Sequence, residues 1–151
     1  MNLPKTSEDL KIEIFKSVDK LDKIGDLRIR QLTKILSKVN DQIIIDGIIE
    51  VFENEDRSEK LYADQKNAGI ILKKLNPKTK VSIESILDRT LKNWNKSVEE
   101  LPFWLKDNYG MEALKKAFSK MENSNLTELE ADKINTMRWW LNIESEIKVS
   151  S

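Results

Sequence analysis

The chain has 151 residues, 39% of them hydrophobic and 34% charged, and its 26 basic and 26 acidic residues give a formal net charge of zero. This length is typical of one domain, so residues 1–151 are interpreted as a single domain that buries a sizeable core. The chain contains no cysteine and no histidine, which excludes disulfides, thiolate nucleophiles and Cys/His zinc sites and removes the commonest acid–base group.

The first predicted unit, residues 7–40, is a pair of helices joined at a glycine. Thr6 or Ser7 can cap the first helix, and Gly25 is placed to end it in a left-handed conformation. Asp26 can then cap the second helix. Each helix carries one apolar stripe at helical spacing. The two stripes are Ile14, Phe15, Val18 and Leu21, and then Leu32, Ile35, Leu36 and Val39.

The second predicted unit covers residues 41–77. Its first helix, Ile43–Phe52, is apolar on nearly every side, which is typical of a helix packed between neighbours. The β-branched run also suits a strand, but an Asp-Gly pair interrupts it and the repeat described below maps it onto a helix. An acidic loop, Glu53–Ser58, leads into a long helix that ends at Asn76 because Pro77 cannot continue it.

The third predicted unit covers residues 80–122 and begins with a helix capped by Ser82. Ser97 and Glu100 have the spacing of a capping box, which predicts a further helix start. Pro102 fits the first turn of that helix, where its missing N–H costs no hydrogen bond.

The C-terminal part contains two more predicted helix boundaries. The segment Asn108–Gly110 is a strong stop signal, after which apolar residues recur at helical spacing over Met111–Met121. Thr127 and Glu130 form a second capping-box pattern. It opens a helix over residues 127–143 that is interpreted as the cap of the domain.

The chain repeats itself at an offset of thirty-six residues. A weaker third copy, Gly110–Ala117, follows the second at an offset of forty-two. A fixed period in this range is typical of stacked helical hairpins, which bury their apolar faces only against one another. The matching pairs are Leu32 with Ala68, Ile35 with Ile71, Leu36 with Leu72, Lys38 with Lys74, Val39 with Leu75, and Asn40 with Asn76.

Two acidic–basic segments, Asp26–Arg28 and Glu55–Arg57, precede the repeated stripes. Over residues 10–122 this pattern resembles HEAT-like and armadillo-like α-helical repeats. The rival, tetratricopeptide repeats, has a period of about thirty-four residues and signature small and aromatic positions that are not filled here. The resemblance implies antiparallel helix pairs stacked in a right-handed superhelix, with the second helices lining the inner surface. It also implies an Asp and an Arg that bridge adjacent repeats, a recognition scaffold, and no catalytic residue.

These patterns predict an all-α fold of about three stacked helix hairpins with a C-terminal capping helix. The resemblance implies that the antiparallel hairpins form a short right-handed α-solenoid. No basic segment followed by an apolar run opens the chain, and the longest apolar run, Ile43–Ile45, is far shorter than a membrane span. We therefore expect a cytoplasmic protein that is not associated with a membrane.

Charge is distributed unevenly, with acids dominating residues 41–59 and bases dominating residues 66–96. The preferred interpretation is that both runs are solvated outer faces of helices, and the alternative is a polarised surface that steers a charged partner. Arg28 and Arg30 on one second helix, with Lys66 and Lys73 on the next, would place a basic strip across a concave face. Such a strip suits phosphates or an acidic peptide, although no aromatic residues interleave it for base stacking.

All four tryptophans lie in the C-terminal half of the chain. Trp139 and Trp140 cannot both face inward, because neighbours on a helix diverge by about a hundred degrees. Trp140 fits the apolar stripe of its helix, and Trp139 is interpreted as covering the end of the core. The alternative for Trp139 is an exposed aromatic contact for a partner. Phe103 and Trp104, beside Pro102, have the same two interpretations, and burial in the core is again preferred over an exposed contact.

We predict a non-enzymatic scaffold that uses no cofactor or metal and binds another protein or peptide across its concave face. The alternative function is nucleic-acid binding through the basic strip. An enzyme that uses carboxylate and lysine chemistry is a third hypothesis, for which Asp88 and Arg89 are the candidates. The candidate partner-binding residues are Arg28, Arg30, Lys66, Lys73 and Trp139.

Overall fold

The computed structural model describes residues 2–143, which form nine α-helices and one short 3₁₀ turn at Ser58–Lys60. No strand occurs within these residues, so the predicted all-α class is confirmed. Each helix in this range is too short or too polar to cross a lipid bilayer. The helices are α1 Ser7–Asp19, α2 Leu21–Ile24, α3 Leu27–Leu36, α4 Asp41–Glu53, α5 Leu61–Leu75, α6 Ile83–Thr90, α7 Glu100–Tyr109, α8 Met111–Glu122 and α9 Glu128–Leu141.

Local capping chemistry sets several helix boundaries where the sequence predicted them. Thr6 Oγ1 accepts a hydrogen bond of 3.0 Å from a backbone N–H in the first turn of α1. Thr127 and Glu130 form the complete capping box of α9. Gly25 follows α2 with a φ of 59°, and Gly110 separates α7 from α8 with a φ of 91°. Both glycines therefore have a positive φ, which glycine adopts most readily, but not the left-handed helical conformation predicted for Gly25. The first predicted helix is also divided, because α1 ends at Asp19 and Gly25 follows the separate short helix α2.

Two predicted caps are wrong. Ser97 and Glu100 form no capping box, because the Ser97 amide donates to the Asn95 side chain at 2.9 Å and α7 begins without a side-chain cap. Asp26 does not cap α3, because its carboxylate accepts a hydrogen bond of 3.0 Å from Arg30, one turn later. In both places a nearby side chain, that of Asn95 or Arg30, bonds to the polar group that the sequence pattern expects to cap the helix.

The helices pack in two rows. One row places α1, α4, α6 and α8 side by side in that order, and the other places α3, α5, α7 and α9. Contacts of α1 with α3, of α4 with α5, and of α7 with α8 join the rows. The buried apolar residues of both rows form one continuous core. Helix α8 lies beside α6, and not in the row of α5, with which the weaker sequence repeat aligns it.

Helix α4 is apolar on nearly every side because α1, α5 and α6 all pack against it. The strand alternative for Ile43–Phe52 is therefore wrong. Gly47 lets α1 approach closely, since a methyl group added there would lie 2.8 Å from Leu10 Cδ2 and 3.0 Å from Leu10 Cβ. Glycine disfavours a helix interior, and this contact accounts for its presence in the middle of α4.

Candidate functional site

An open groove of about 330 Å³ lies between α5 and α7 in the second row. Pockets that bind ligands or peptide side chains begin at about this size. Helix α5 and its C-cap contribute Leu72, Lys73 and Asn76 to the lining. Helix α7 and its N-cap contribute Glu99, Glu100, Phe103, Trp104 and Asp107.

A glycine and an ion pair hold the two walls of the groove together. A Cβ at Gly69 of α5 would lie 2.9 Å from Glu100 Cβ of α7, so only glycine permits this approach without a shift. Lys66 Nζ donates to Glu100 Oε2 at 2.5 Å, and the Glu100 side chain is only 9% exposed. This hydrogen bond raises the pKa of Lys66 above its ordinary value, so the ammonium stays charged at the groove wall.

The floor of the groove is apolar and fixed. Leu72 and Trp104 are both buried. Trp104 Nε1 donates to the Pro77 carbonyl at 2.9 Å, and the edge of its ring meets Tyr109 at a centroid distance of 6.4 Å. The Tyr109 hydroxyl in turn donates to the Val81 carbonyl. The indole therefore has little freedom to rotate, and the floor is preorganised.

The rim of the groove carries charged side chains that form no close ion pair with the described residues, although Glu99 acts on Lys66 at longer range and helps to raise the pKa of that lysine. Glu99, Phe103 and Asp107 follow one another at four-residue spacing and so lie along one side of α7. Phe103 is 36% exposed, which makes the earlier assignment of this ring to the core wrong. Across the groove stand Lys73 and Asn76. Among residues 2–143 no ion pair involves Glu99, Asp107 or Lys73.

The structure brings two of the five predicted partner-binding residues to this groove. Lys73 lines it, and Lys66 is bonded to its wall through Glu100. Arg28 instead pairs with Glu13 of α1 at 2.7 Å, and Arg30 pairs with Asp26, one turn earlier, at 3.0 Å. Trp139 lies on α9, outside the lining of the groove.

The Trp139 side chain is 71% exposed, so the interpretation that it covers the end of the core is wrong. Its ring meets that of Trp140 in an edge-to-face contact with a centroid distance of 4.8 Å. Trp140 is in turn anchored, because its Nε1 donates to the Lys96 carbonyl at 2.7 Å. An exposed, braced indole of this kind is a second candidate contact for a partner.

The acidic and basic runs of the sequence meet each other in the fold. Arg89 of α6 donates two hydrogen bonds to Glu53 of α4, at 2.9 and 2.5 Å. Lys92 pairs with Glu55 at 3.2 Å, and Lys96 pairs with Asp132 of α9. Much of the basic excess of residues 66–96 is therefore neutralised within the protein. A partner that needs these bases would have to displace an internal carboxylate.

The groove is lined by apolar, aromatic and charged side chains, a composition typical of a surface that binds another molecule. Within the part of the chain that the structure describes, no three Asp or Glu residues are grouped as a metal ion requires. Comparison of the chain with protein-family models, with curated proteins and with solved structures finds no match. The residues that line the groove are therefore the basis for inferring its function. Sequence reasoning identified Lys73, kept an exposed contact at Phe103 only as the second choice, and missed Glu99 and Asp107, although the four-residue spacing of these three residues is visible in the chain.

Proposed function

We propose that the protein is a non-enzymatic helical-repeat scaffold that binds another protein or peptide, and that the groove between α5 and α7 is its binding site. The observation that carries the proposal is the exposed Phe103 ring above a fixed apolar floor, flanked by Glu99 and Asp107, whose carboxylates form no ion pair with another residue of the range 2–143. An aromatic anchor with polar groups around it is the usual composition of the strongly contributing part of a protein interface.

The two rows of helices support a solenoid arrangement for this scaffold. We propose that α1/α3 and α4/α5 are the first two stacked units, in the manner of HEAT-like or armadillo-like repeats, because the helices of each pair contact each other. Residues 80–122 form the third unit, in which α8 contacts both α6 and α7. Helix α9 packs on α7 and is the capping helix.

A binding role also fits the chemistry of the groove. General acid–base catalysis works best with a group whose pKa lies near the operating pH. Lys66, the groove-wall residue whose pKa is shifted, is shifted upward by Glu100 and so away from neutrality. Its ammonium is better suited to holding Glu100 in place than to accepting a proton.

The alternative function, nucleic-acid binding, draws support from Lys74, Lys78 and Lys80, which are exposed on α5 and the segment after it. These lysines stand at the C-terminal end of α5, where the partial negative charge of the helix dipole attracts cations. The same dipole disfavours a phosphate at that position. We therefore favour a protein partner, and the experiment below separates the two.

Capture of a partner from a lysate of the native host tests the proposed site by comparing variants. We expect Phe103→Ser to reduce the recovery of the captured partner at least tenfold, because it removes the exposed aromatic anchor of the groove. Lys66 is left unchanged, since reversing its charge would place two carboxylates against each other at the groove wall. Recovery is measured by quantitative mass spectrometry after nuclease treatment.

Trp139→Ser is the matched control, because it removes an exposed aromatic residue from another helix. The proposal predicts that this variant retains the partner and that the melting temperatures of both variants stay close to that of the unaltered protein. Recovery that survives the groove variant but is lost with Trp139→Ser would move the site to α9. Capture of nucleic acid that resists the groove variant would support the alternative function.

A further inference from the structure

The chain uses one arrangement of arginine, phenylalanine and carboxylate twice in its interior. The Arg57 guanidinium lies 4.5 Å from the centroid of the Phe15 ring and bonds to Asp19 and Asp64. Between α8 and α9 the same arrangement is built by a different set of residues. Both cases combine a cation–π contact with charge-assisted hydrogen bonds.

The second arrangement centres on Arg138, whose guanidinium lies 5.5 Å from the Phe118 ring centroid. Its two terminal nitrogens donate to the Glu122 carboxylate at 2.7 and 2.5 Å. Planar guanidinium groups suit this geometry, because one face stacks on a ring while the edge bonds to a carboxylate. The fold therefore contains two sites at which an arginine lies over a phenylalanine ring and bonds to a carboxylate.

The groove contains the phenylalanine ring and the carboxylates of this arrangement, but among the described residues no arginine lies over the ring. Phe103 stands between Glu99 and Asp107, which are about 12 Å apart along the axis of α7. No arginine or lysine among residues 2–143 lies over the Phe103 ring or pairs with either carboxylate. The ring is partly exposed, in contrast to the half-buried Phe15 and the buried Phe118.

The wall of the groove adds a further acceptor. Glu100 Oε1 is buried and accepts no hydrogen bond from the described residues, since Lys66 bonds only to the other oxygen of that carboxylate. A buried acceptor without a partner costs free energy that a positively charged donor nearby would reduce. The groove lining contains three carboxylates and one ammonium, that of Lys73. Its charge therefore complements a cationic ligand.

We infer that the groove recognises a peptide segment through an arginine side chain flanked by an apolar residue. The guanidinium lies over the Phe103 ring and bonds to Glu99 or Asp107, and the apolar neighbour contacts Leu72 and Trp104 on the floor. This inference rests on the proposed function and names its partner class. It reverses the charge that the sequence alone suggested, because Lys66 already binds Glu100 and is not free to bind an acidic peptide.

Selection from a library of random peptides displayed on phage, with the full-length protein as bait, tests the inference. We expect the selected peptides to be enriched in arginine next to an apolar residue. The most enriched peptide is then synthesised, and its affinity is measured by fluorescence anisotropy. Replacing its arginine by methionine, or combining Glu99→Gln with Asp107→Asn in the protein, should weaken binding about tenfold in each case.

The control for the protein variant is Asp22→Asn with Asp88→Asn, which removes two exposed carboxylates of other helices and should leave the affinity unchanged. Phe103→Ser separates the inference from the proposed function. Peptides that need Phe103 but contain no enriched arginine would overturn the inference and leave the groove proposal standing. Peptides whose binding ignores Phe103→Ser, or a library from which no sequence is enriched, would overturn both.

Discussion

Trp94→Ala is expected to lower the free energy of unfolding by about 3–5 kcal/mol, the usual cost of deleting a fully buried tryptophan. Trp94 lies in the turn after α6, and it is only 1% exposed. Its Nε1 donates to the Val98 carbonyl at 2.9 Å. The substitution therefore creates a cavity in the core and also leaves a buried carbonyl without its donor.

Urea unfolding followed by far-ultraviolet circular dichroism measures the effect without relying on tryptophan fluorescence. Trp139→Ala is the matched control, because the same side chain is removed from an exposed position. It should cost at most about 1 kcal/mol, the worth of its edge-to-face contact with Trp140. Equal losses for the two variants would contradict the placement of Trp94 in the core.

Arg57→Ala is expected to destabilise the protein by about 3–5 kcal/mol, because it leaves a buried charge uncompensated. Arg57 donates to both oxygens of Asp64 at 2.9 Å, and the Asp64 side chain is only 3% exposed. The same guanidinium bonds to Asp19 at the end of α1 and so ties the first two helix pairs together. Thermal and urea unfolding both report the loss.

Arg30→Ala is the matched control, since Arg30 and Asp26 form an exposed pair on α3. Exposed pairs of this spacing contribute about 0.3–0.5 kcal/mol, so this variant should unfold almost like the unaltered protein. A similar loss of unfolding free energy in both variants would show that the large effect of Arg57→Ala does not come from the burial of Asp64.

The cost of Arg57→Ala should also shrink at low pH. Hydrogen bonds from Arg57 and, to a smaller extent, from Lys60 lower the pKa of Asp19 to about 2. The contribution of ionised Asp19 to the free energy of unfolding is therefore fully present above the unfolded pKa of 3.8 and is lost as the pH falls toward 2. Burial raises the pKa of Asp64 even beside Arg57, and without the arginine this pKa rises further. The variant therefore regains stability as Asp64 takes up a proton, and the two unfolding curves converge. A constant difference from pH 7 to pH 2 would contradict this assignment.

The sequence predicts the helices well because their boundaries depend on neighbouring residues. Thr127, Glu130 and Gly110 act through contacts within one turn of the chain, and the structure confirms them. The capping-box pattern gives a wrong prediction at Ser97, because the backbone N–H of Ser97 donates to the side chain of Asn95. A Ser-x-x-Glu motif does not show that its serine is free to cap a helix.

The groove could be predicted only in part, because its properties depend on contacts between distant residues. Lys73 is recognisable in the sequence as a lysine that faces solvent. Lys66 looks the same, but it binds Glu100, thirty-four residues later, and holds a wall of the groove. Phe103 appears to be a core residue beside Trp104, and only the packing of α5 against α7 shows that one ring forms the floor and the other the rim.

Mapping the bound peptide by nuclear magnetic resonance tests the central claim most directly. The arginine-containing peptide selected from the library is titrated into isotope-labelled protein, and backbone amide shifts are followed. We predict that the largest changes fall in residues 72–76 and 99–107, the two walls of the groove. Changes concentrated around Trp139, or around Arg28 and Arg30, with the groove unaffected, would contradict the account.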